Sequence, residues 1–190
     1  SDSVCVNLKL SSALVLSSIA GTATLTMAWV AQLLFVHNKL GATWTTVLWV
    51  SLNFCVATVS LFAGKITSIF GSQKVFWMVI FALPAVYLIV PFASFAVAVC
   101  ALFIFYMARG MATPVFREQV NSRCSSDVRA TVLSIRSLVI RLLFSIVGPA
   151  IGWVSVKSNF NYAVLSLGLF FLVGIIISGM FYIKQNNRVL

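Results

Sequence analysis

Residues 109–153 read RGMATPVFREQVNSRCSSDVRATVLSIRSLVIRLLFSIVGPAIGW and decide the fold. One apolar segment ends near Pro114, a polar stretch follows, and a second apolar segment covers residues 130–156. The second segment contains Arg136 and Arg141. Because an arginine inside a membrane-spanning segment is costly, it marks a functional site by default. The rest of the chain is therefore interpreted as the membrane scaffold around these arginines.

The composition of the chain places it in a lipid bilayer. Of its 190 residues, 61% are hydrophobic and only 8% are charged. Soluble domains contain about 45–50% apolar and about 25% charged residues. In a soluble protein, the formal net charge of +10 would suggest nucleic acid. In a membrane protein it indicates basic loops on the cytoplasmic face, so no nucleic-acid partner is predicted.

Six segments approach the roughly 20 apolar residues that a spanning helix needs. They cover residues 11–36, 43–63, 75–92, 94–115, 130–156 and 161–183. The alternating pattern of a membrane β-barrel is absent. The sequence therefore predicts an all-α membrane protein, a single six-helix bundle over residues 1–190. Six spans divide into two groups of three with opposite orientation, which is the arrangement of an inverted repeat.

The distribution of basic residues predicts the orientation of the bundle. Eight of them fall on one side of the predicted bilayer: Lys9, Lys65, Lys74, Arg117, Arg123, Arg129, Lys184 and Arg188. Lys39 and Lys157 fall on the other side. The positive-inside rule then places both termini in the cytoplasm. His37 falls in an outside loop, where it is interpreted as a solvated residue.

One face of the fifth segment carries small and polar residues. They are Ser134, Ser137, Arg141, Ser145, Gly148 and Gly152, and their spacing places all of them on one side of a helix. Arg141 lies about 18 Å along the helix from Arg129, near the middle of the bilayer. A role in a transport pathway or gate and a structural hydrogen bond are equally good interpretations of Arg141. Arg136 lies on another face and is interpreted as a structural residue that reaches the interface.

Four other polar side chains are candidate cavity residues: Gln32, Asn53, Thr22 and Thr26. The alternative is close helix packing, for which small residues are enriched. Arg109, in the fourth segment, either lines a cavity or braces the inner end of the bundle. We further expect the polar stripes of the first and fifth helices to be uncovered in a lone six-helix bundle, which would then be unstable or self-associate.

The sequence argues against enzymatic chemistry. Its three acids, Asp2, Glu118 and Asp127, lie outside the six segments, so no proton relay through carboxylates is expected at membrane depth. No nucleophile, base and orienting group cluster together, and no phosphate-binding loop is present. The four cysteines are scattered, which argues against a metal site. We therefore predict no enzyme, no metal and no cofactor.

The stretch Gly64–Lys74, GKITSIFGSQK, resembles a family motif. It is similar to the G-x-L-x-D-R-x-G-R-R/K loop of the major facilitator superfamily. Gly64, Ile66, Gly71 and Lys74 match the motif, whereas Ser68 and Ile69 replace its acid and its arginine. This departure suits the weaker copy of the loop, which lies between helices eight and nine in that family.

The opening stretch carries the rest of the resemblance. Its matching residues resemble helices ten and eleven of bacterial members: Arg109-Gly110, Pro114, Asn121, Arg129–Ser134, Gly148-Pro149 and Gly152. Nearly the whole chain then corresponds to helices seven to twelve. The resemblance implies the C-terminal half of a twelve-helix secondary transporter in a bacterial cytoplasmic membrane. Such a protein moves a small solute by alternating access and needs a complementary N-terminal half. The first residue, Ser1, fits a piece of a longer chain.

A second function class stays open. The polar helix faces also suit a non-transporting membrane subunit or assembly protein that binds another protein. Solute binding that requires a complementary six-helix chain favours the transporter, whereas a stable complex with an unrelated protein favours the subunit.

Overall fold

The computed structural model of the chain describes residues 2–124 and 126–187, with side chains for residues 8–124 and 127–185. It contains six α-helices and one 3₁₀ turn: α1 Asp2–His37, α2 Ala42–Phe70, α3 Ser72–Ile89, Val90–Phe92 as the turn, α4 Phe95–Asn121, α5 Ser126–Lys157 and α6 Phe160–Asn187. All six helices are long and apolar enough to cross a membrane. The predicted all-α chain with six helices of spanning length is confirmed.

The helices continue beyond the apolar segments that predicted them. α2 runs to Phe70, so that Gly64 and Ile66 of the predicted loop are helical. The only break is Gly71, whose φ of 87° lies in the left-handed region that glycine tolerates best, and Lys74 already belongs to α3. The predicted loop was therefore wrong in extent, because hydropathy marks contact with lipid rather than the end of helical hydrogen bonding.

The polar stretch of residues 117–129 is likewise mostly helical. α4 continues to Asn121 and α5 begins at Ser126, which leaves a short connection around Arg123. The Arg123 guanidinium donates to the Gln119 side-chain oxygen (2.7 Å) and to the Tyr182 hydroxyl (2.6 Å). These bonds attach the end of α4 to α6.

We call the end of the bundle that holds Gly71 and Arg123 the basic end. Of the eight basic residues counted in the sequence, six lie on helices at this end, Arg123 lies in the connection between α4 and α5, and Arg188 lies outside the described residues. At the opposite end, His37 belongs to the last turn of α1 rather than to a loop, and its ring stacks on Phe160 at 5.2 Å.

Four helices form a row in the order α2, α4, α1, α5, since each contacts the next, and α3 and α6 pack against this row. The Tyr87 hydroxyl of α3 donates to the Ala23 carbonyl of α1 at 2.7 Å, inside the core. The helices differ strongly in burial. In their most apolar stretches, 56% of the residues of α1 are buried, against 11% for α2 and 6% for α5. α2 and α5 therefore present most of their surface outward.

Close packing joins α2 to α4. Gly110 of α4 lies so near α2 that an added Cβ would stand 2.8 Å from the Val56 carbonyl oxygen and 3.1 Å from the Val59 Cβ. A small residue at this position lets the two backbones approach, as is common between membrane helices.

The first expected result concerns topology. A cysteine that replaces Gln73, an exposed residue in the first turn of α3, should react with a membrane-impermeant maleimide only from the cytoplasmic side. The reason is the excess of basic residues at this end of the bundle. The control is Asn159→Cys at the opposite end, which should react only from outside. Labelling of intact cells and of inverted vesicles measures both. External labelling of Gln73→Cys would overturn the orientation.

Candidate functional site

Polar and aromatic side chains meet where α1, α2 and α4 come together. We call this group, made up of Gln32, Trp49, Asn53, Tyr106 and Arg109, the Trp49 cluster. The Trp49 indole nitrogen donates to the Gln32 side-chain oxygen at 3.0 Å. The Asn53 amide donates to the Trp49 carbonyl at 2.8 Å. Of the two amides predicted as cavity residues, Gln32 bonds to the Trp49 side chain from another helix, whereas Asn53 bonds to a backbone carbonyl one turn back on its own helix.

The cluster continues inward on α4. The rings of Trp49 and Tyr106 meet edge to face, with 6.4 Å between centroids. The Arg109 guanidinium carbon lies 5.4 Å from the centre of the Tyr106 ring. The Tyr106 hydroxyl is buried without a well-aligned hydrogen bond, and the neighbouring Arg109 guanidinium is the polar group that interacts with it. Arg109 lies about 21 Å along α4 from its first residue and about 18 Å from its last, hence near mid-membrane.

A cavity adjoins the cluster on the side away from the basic end. Its volume is about 390 Å³, and it is lined by Ala28, Trp29, Gln32, Leu33 and Trp49. Trp49 contributes both to this cavity and to the contact with Tyr106. Tyr106 packs behind Trp49, and neither Tyr106 nor Arg109 lines this cavity.

The polar face of α5 is a separate surface. Ser134, Ser137, Arg141 and Ser145 are all exposed. Gly148 is buried against the Phe144 ring of its own helix, and an added Cβ at Gly152 would meet open space. α4 and α5 barely touch, and Arg141 belongs to the exposed face of a helix that packs mainly on α1 and α6. The structure thus keeps Arg141 uncovered but does not join it to the Trp49 cluster.

Arg136 bonds to α1 instead of reaching the interface. Its guanidinium donates to the Ser17 hydroxyl (3.0 Å) and to the Ser17 carbonyl (3.1 Å). It also lies 5.7 Å from the centre of the Phe116 ring of α4. These contacts agree with the interpretation of Arg136 as a structural residue. They do not agree with the prediction that its side chain extends to the membrane interface.

Thr22 and Thr26 lie in the packed interior and not on a cavity wall. Both are almost fully buried, and their hydroxyls donate to the carbonyls of Ser18 and Thr22, each at 2.9 Å. Because each hydroxyl is satisfied one turn back on its own helix, neither needs water. We therefore remove both from the candidate site. The same burial corrects the expectation for the part of the first helix that holds Thr22 and Thr26, which is covered, whereas Gln32 on the same helix is exposed.

The residues of the family-like motif form no charged site. Gly64 and Lys74 are exposed, and Ile66 packs against the core. Ser68, which replaces the acid of the motif, donates to the carbonyl of Lys65 on its own helix at 2.8 Å. Of the motif residues, only Gly71 lies between α2 and α3, and the others belong to the two helices.

Trp49 was missed in the sequence. A tryptophan in a spanning segment is normally interpreted as an apolar residue, and its partner Gln32 lies on another helix. One signal was present, because Trp49 precedes Asn53 by one helical turn, a spacing that places both on one face. Trp29 also lines the cavity, and its ring lies 6.1 Å from that of Phe144.

The Trp49 cluster combines one cationic side chain with groups that can form hydrogen bonds. It offers a guanidinium, a phenol, an indole and two amides, but no carboxylate at the depth of Arg109. Among the described residues, no three His, Cys, Asp or Glu side chains stand close enough to hold a metal ion. No protein-family model, curated protein or solved structure matches this chain.

Proposed function

We propose that this chain is the C-terminal half of a secondary transporter that resembles the major facilitator superfamily. It moves a small solute by alternating access, together with a complementary six-helix half. The observation that carries the proposal is a pair of arginines, Arg109 and Arg141, near the middle of two spanning helices with no carboxylate at their depth. Polar side chains this deep mark substrate or ion pathways in membrane proteins.

The contacts between helices support two inverted repeats of three. An inverted repeat would exchange α1 with α4, α2 with α5 and α3 with α6. Under this exchange, the α2–α4 pair becomes α5–α1, the α3–α4 pair becomes α6–α1, and the α2–α3 pair becomes α5–α6. All of these pairs are in contact, and so are α1–α4 and α3–α6, which the exchange leaves unchanged. The smaller α1–α3 and α4–α5 contacts have no counterpart of similar extent. Many secondary transporters have such a pseudo-two-fold relation, with their substrate site near the bilayer midplane.

One observation also favours the second candidate, a membrane subunit that binds another protein. α2 and α5 are the least buried helices, and the exposed polar face of α5 does not suit lipid. A partner helix could cover that face permanently. In the transporter, the same face meets water during part of each cycle.

Cysteine accessibility should distinguish the two candidates. In a cysteine-free version of the natural protein that contains this chain, Asn53→Cys and Ser145→Cys should react with an impermeant maleimide from both sides of the membrane. Alternating access predicts this result, because each position is open to water first on one side of the membrane and then on the other. Conditions that favour one orientation should raise the rate from one side and lower it from the other.

A control variant lies beside Ser145. Ile146 is exposed, yet it borders an apolar groove between α5 and α6, so Ile146→Cys should react slowly from either side. If Asn53→Cys and Ser145→Cys are unreactive from both sides and the protein copurifies with an unrelated protein in fixed ratio, the subunit replaces the transporter.

A further inference from the structure

We propose that a groove between α1 and α5 binds the phosphate of an anionic phospholipid from the membrane leaflet at the basic end, with Arg136 as the main contact. We call it the Arg136 groove, and it is lined by Ser11, Leu14, Val15, Ser18, Ile135, Arg136 and Val139. The inference names a lipid site and goes beyond the proposed transport function.

The depth of Arg136 suits a lipid headgroup. Its guanidinium lies 5.7 Å from the centre of the Phe116 ring. Phe116 precedes Asn121, the last residue of α4, by five residues, or about 7.5 Å along the axis. The headgroup region of a bilayer is about 5–8 Å thick on each side of the hydrocarbon core. The guanidinium therefore lies at the inner edge of the headgroup region, where a phosphate can come down to it.

Arg136 keeps hydrogen-bond donors for a ligand. Its bonds to the Ser17 hydroxyl and carbonyl use two of the five N–H groups of a guanidinium and hold the side chain in place. Ser11 and Ser18 add hydroxyl groups to the wall of the groove. A phosphate accepts several hydrogen bonds at once, and those from a guanidinium are among the strongest. The groove thus offers a phosphate a fixed cation and nearby hydroxyl donors.

The surrounding charge also favours an anion. Arg117 follows Phe116 and is close enough to Arg136 for the two positive charges to repel each other. Of the acids whose side chains the structure describes, Glu118 accepts a hydrogen bond from Ser72 of α3. Asp127 stands nine residues before Arg136 in α5, or about 13.5 Å away along the axis. A bound phosphate would relieve the repulsion between the two arginines.

Two further basic residues stand between the groove and the basic end of the bundle. Lys9 precedes Ser11 by two residues in α1, and Arg129 precedes Arg136 by seven residues in α5. Basic pockets between membrane helices are typical sites for anionic lipid headgroups, and each nearby lysine or arginine adds to the attraction.

The shape and lining of the groove favour a lipid over a free anion. Val15 and Ile135 are about half exposed, so the groove is open along its apolar side. Its volume of about 230 Å³ is below the usual range of small-molecule sites, about 300–1,000 Å³. It therefore suits part of a larger ligand. The phosphate would occupy the end at Arg136, and an acyl chain would continue along the exposed apolar residues.

The test is lipid binding to the natural full-length protein in detergent, measured by native mass spectrometry. The probe is dioctanoyl phosphatidylglycerol, an anionic lipid, and dioctanoyl phosphatidylcholine is a zwitterionic lipid with the same chains. The anionic lipid should bind at least about tenfold more tightly, because choline brings a positive charge to the two arginines. Inorganic phosphate at the same concentration should not displace it, because phosphate has no apolar part.

Substitutions locate the site. Arg136→Gln should weaken binding of phosphatidylglycerol by about tenfold to a hundredfold, and Arg136→Lys should restore part of it. Val15→Trp fills the groove without touching the bonds to Ser17, and it should reduce binding to the level of phosphatidylcholine. The controls lie outside the groove on exposed positions of α2. Lys65→Gln and Val50→Trp should bind like the parent.

Several outcomes would overturn the inference. They are equal binding of the two lipids, unchanged binding in Arg136→Gln, and displacement of the lipid by inorganic phosphate, which would make this a site for free phosphate. Absence of lipid binding would also overturn it and would indicate that another segment covers the groove. If Arg136→Gln fails to fold, Val15→Trp and the lipid series still decide. None of these outcomes changes the cysteine accessibility of Asn53 and Ser145, so the proposed function is judged separately.

Discussion

Arg141→Leu is expected to abolish transport by the natural protein while leaving expression and thermal stability unchanged or improved. Arg141 is exposed near the middle of α5. A central arginine costs about 2.5–3.5 kcal/mol on the insertion scale, so its removal should not harm the membrane-inserted protein. Loss of transport would then reflect the missing charge in the pathway. Uptake or efflux in proteoliposomes, at matched protein amounts, measures it.

Arg136→Leu is the matched comparison, because it lies on the same helix only five residues away and has partners. It should lower the free energy of unfolding by about 1–3 kcal/mol, through loss of the bonds to Ser17 and of the contact with Phe116. Transport per folded molecule should persist. Thermal denaturation in detergent separates the two variants.

The opposite pattern would contradict this assignment. If Arg141→Leu transports as well as the parent, Arg141 is merely structural and the exposed face of α5 loses its place in the pathway. If Arg136→Leu is as stable as the parent, its bonds to α1 contribute nothing measurable.

Gly110→Ala is expected to destabilise the bundle by about 1–3 kcal/mol, the usual cost of overpacking. The added methyl group would stand 2.8 Å from the Val56 carbonyl oxygen. Because this neighbour is backbone, relief requires α2 to move away from α4. That movement would also disturb the contact between Trp49 and Tyr106.

Gly64→Ala provides the control. Gly64 lies in the same pair of helices, but no atom stands within 4 Å of an added Cβ. Alanine is the better helix former by up to about 1 kcal/mol, so this variant should be neutral or more stable. Unfolding in detergent, followed by circular dichroism against temperature, compares the two. A Gly110→Ala protein as stable as Gly64→Ala would show that α2 and α4 are less tightly packed than the structure indicates.

Several features of the fold could be predicted from the sequence. Six apolar segments predicted six helices, because crossing a hydrocarbon layer requires a run of apolar residues whatever their tertiary neighbours. The polar face of α5 was predicted for a similar reason. A helix repeats every 3.6 residues, so the spacing from Ser134 to Ser145 alone places those residues on one side. Helix ends were less accurate, since α4 continues through Arg117 to Asn121 after its apolar stretch has ended.

Only the tertiary structure decided which polar residues have partners. Thr22 and Gln32 were both predicted as cavity residues, yet Thr22 is buried with its hydroxyl bonded to its own helix, and Gln32 bonds to Trp49. Arg136 and Arg141 share one helix, but the packing of α1 covers the first and leaves the second exposed. The physical reason is that hydropathy and periodicity depend on residues close together in the chain. The partner of a side chain depends on which helix faces meet, across separations such as the 119 residues between Ser17 and Arg136.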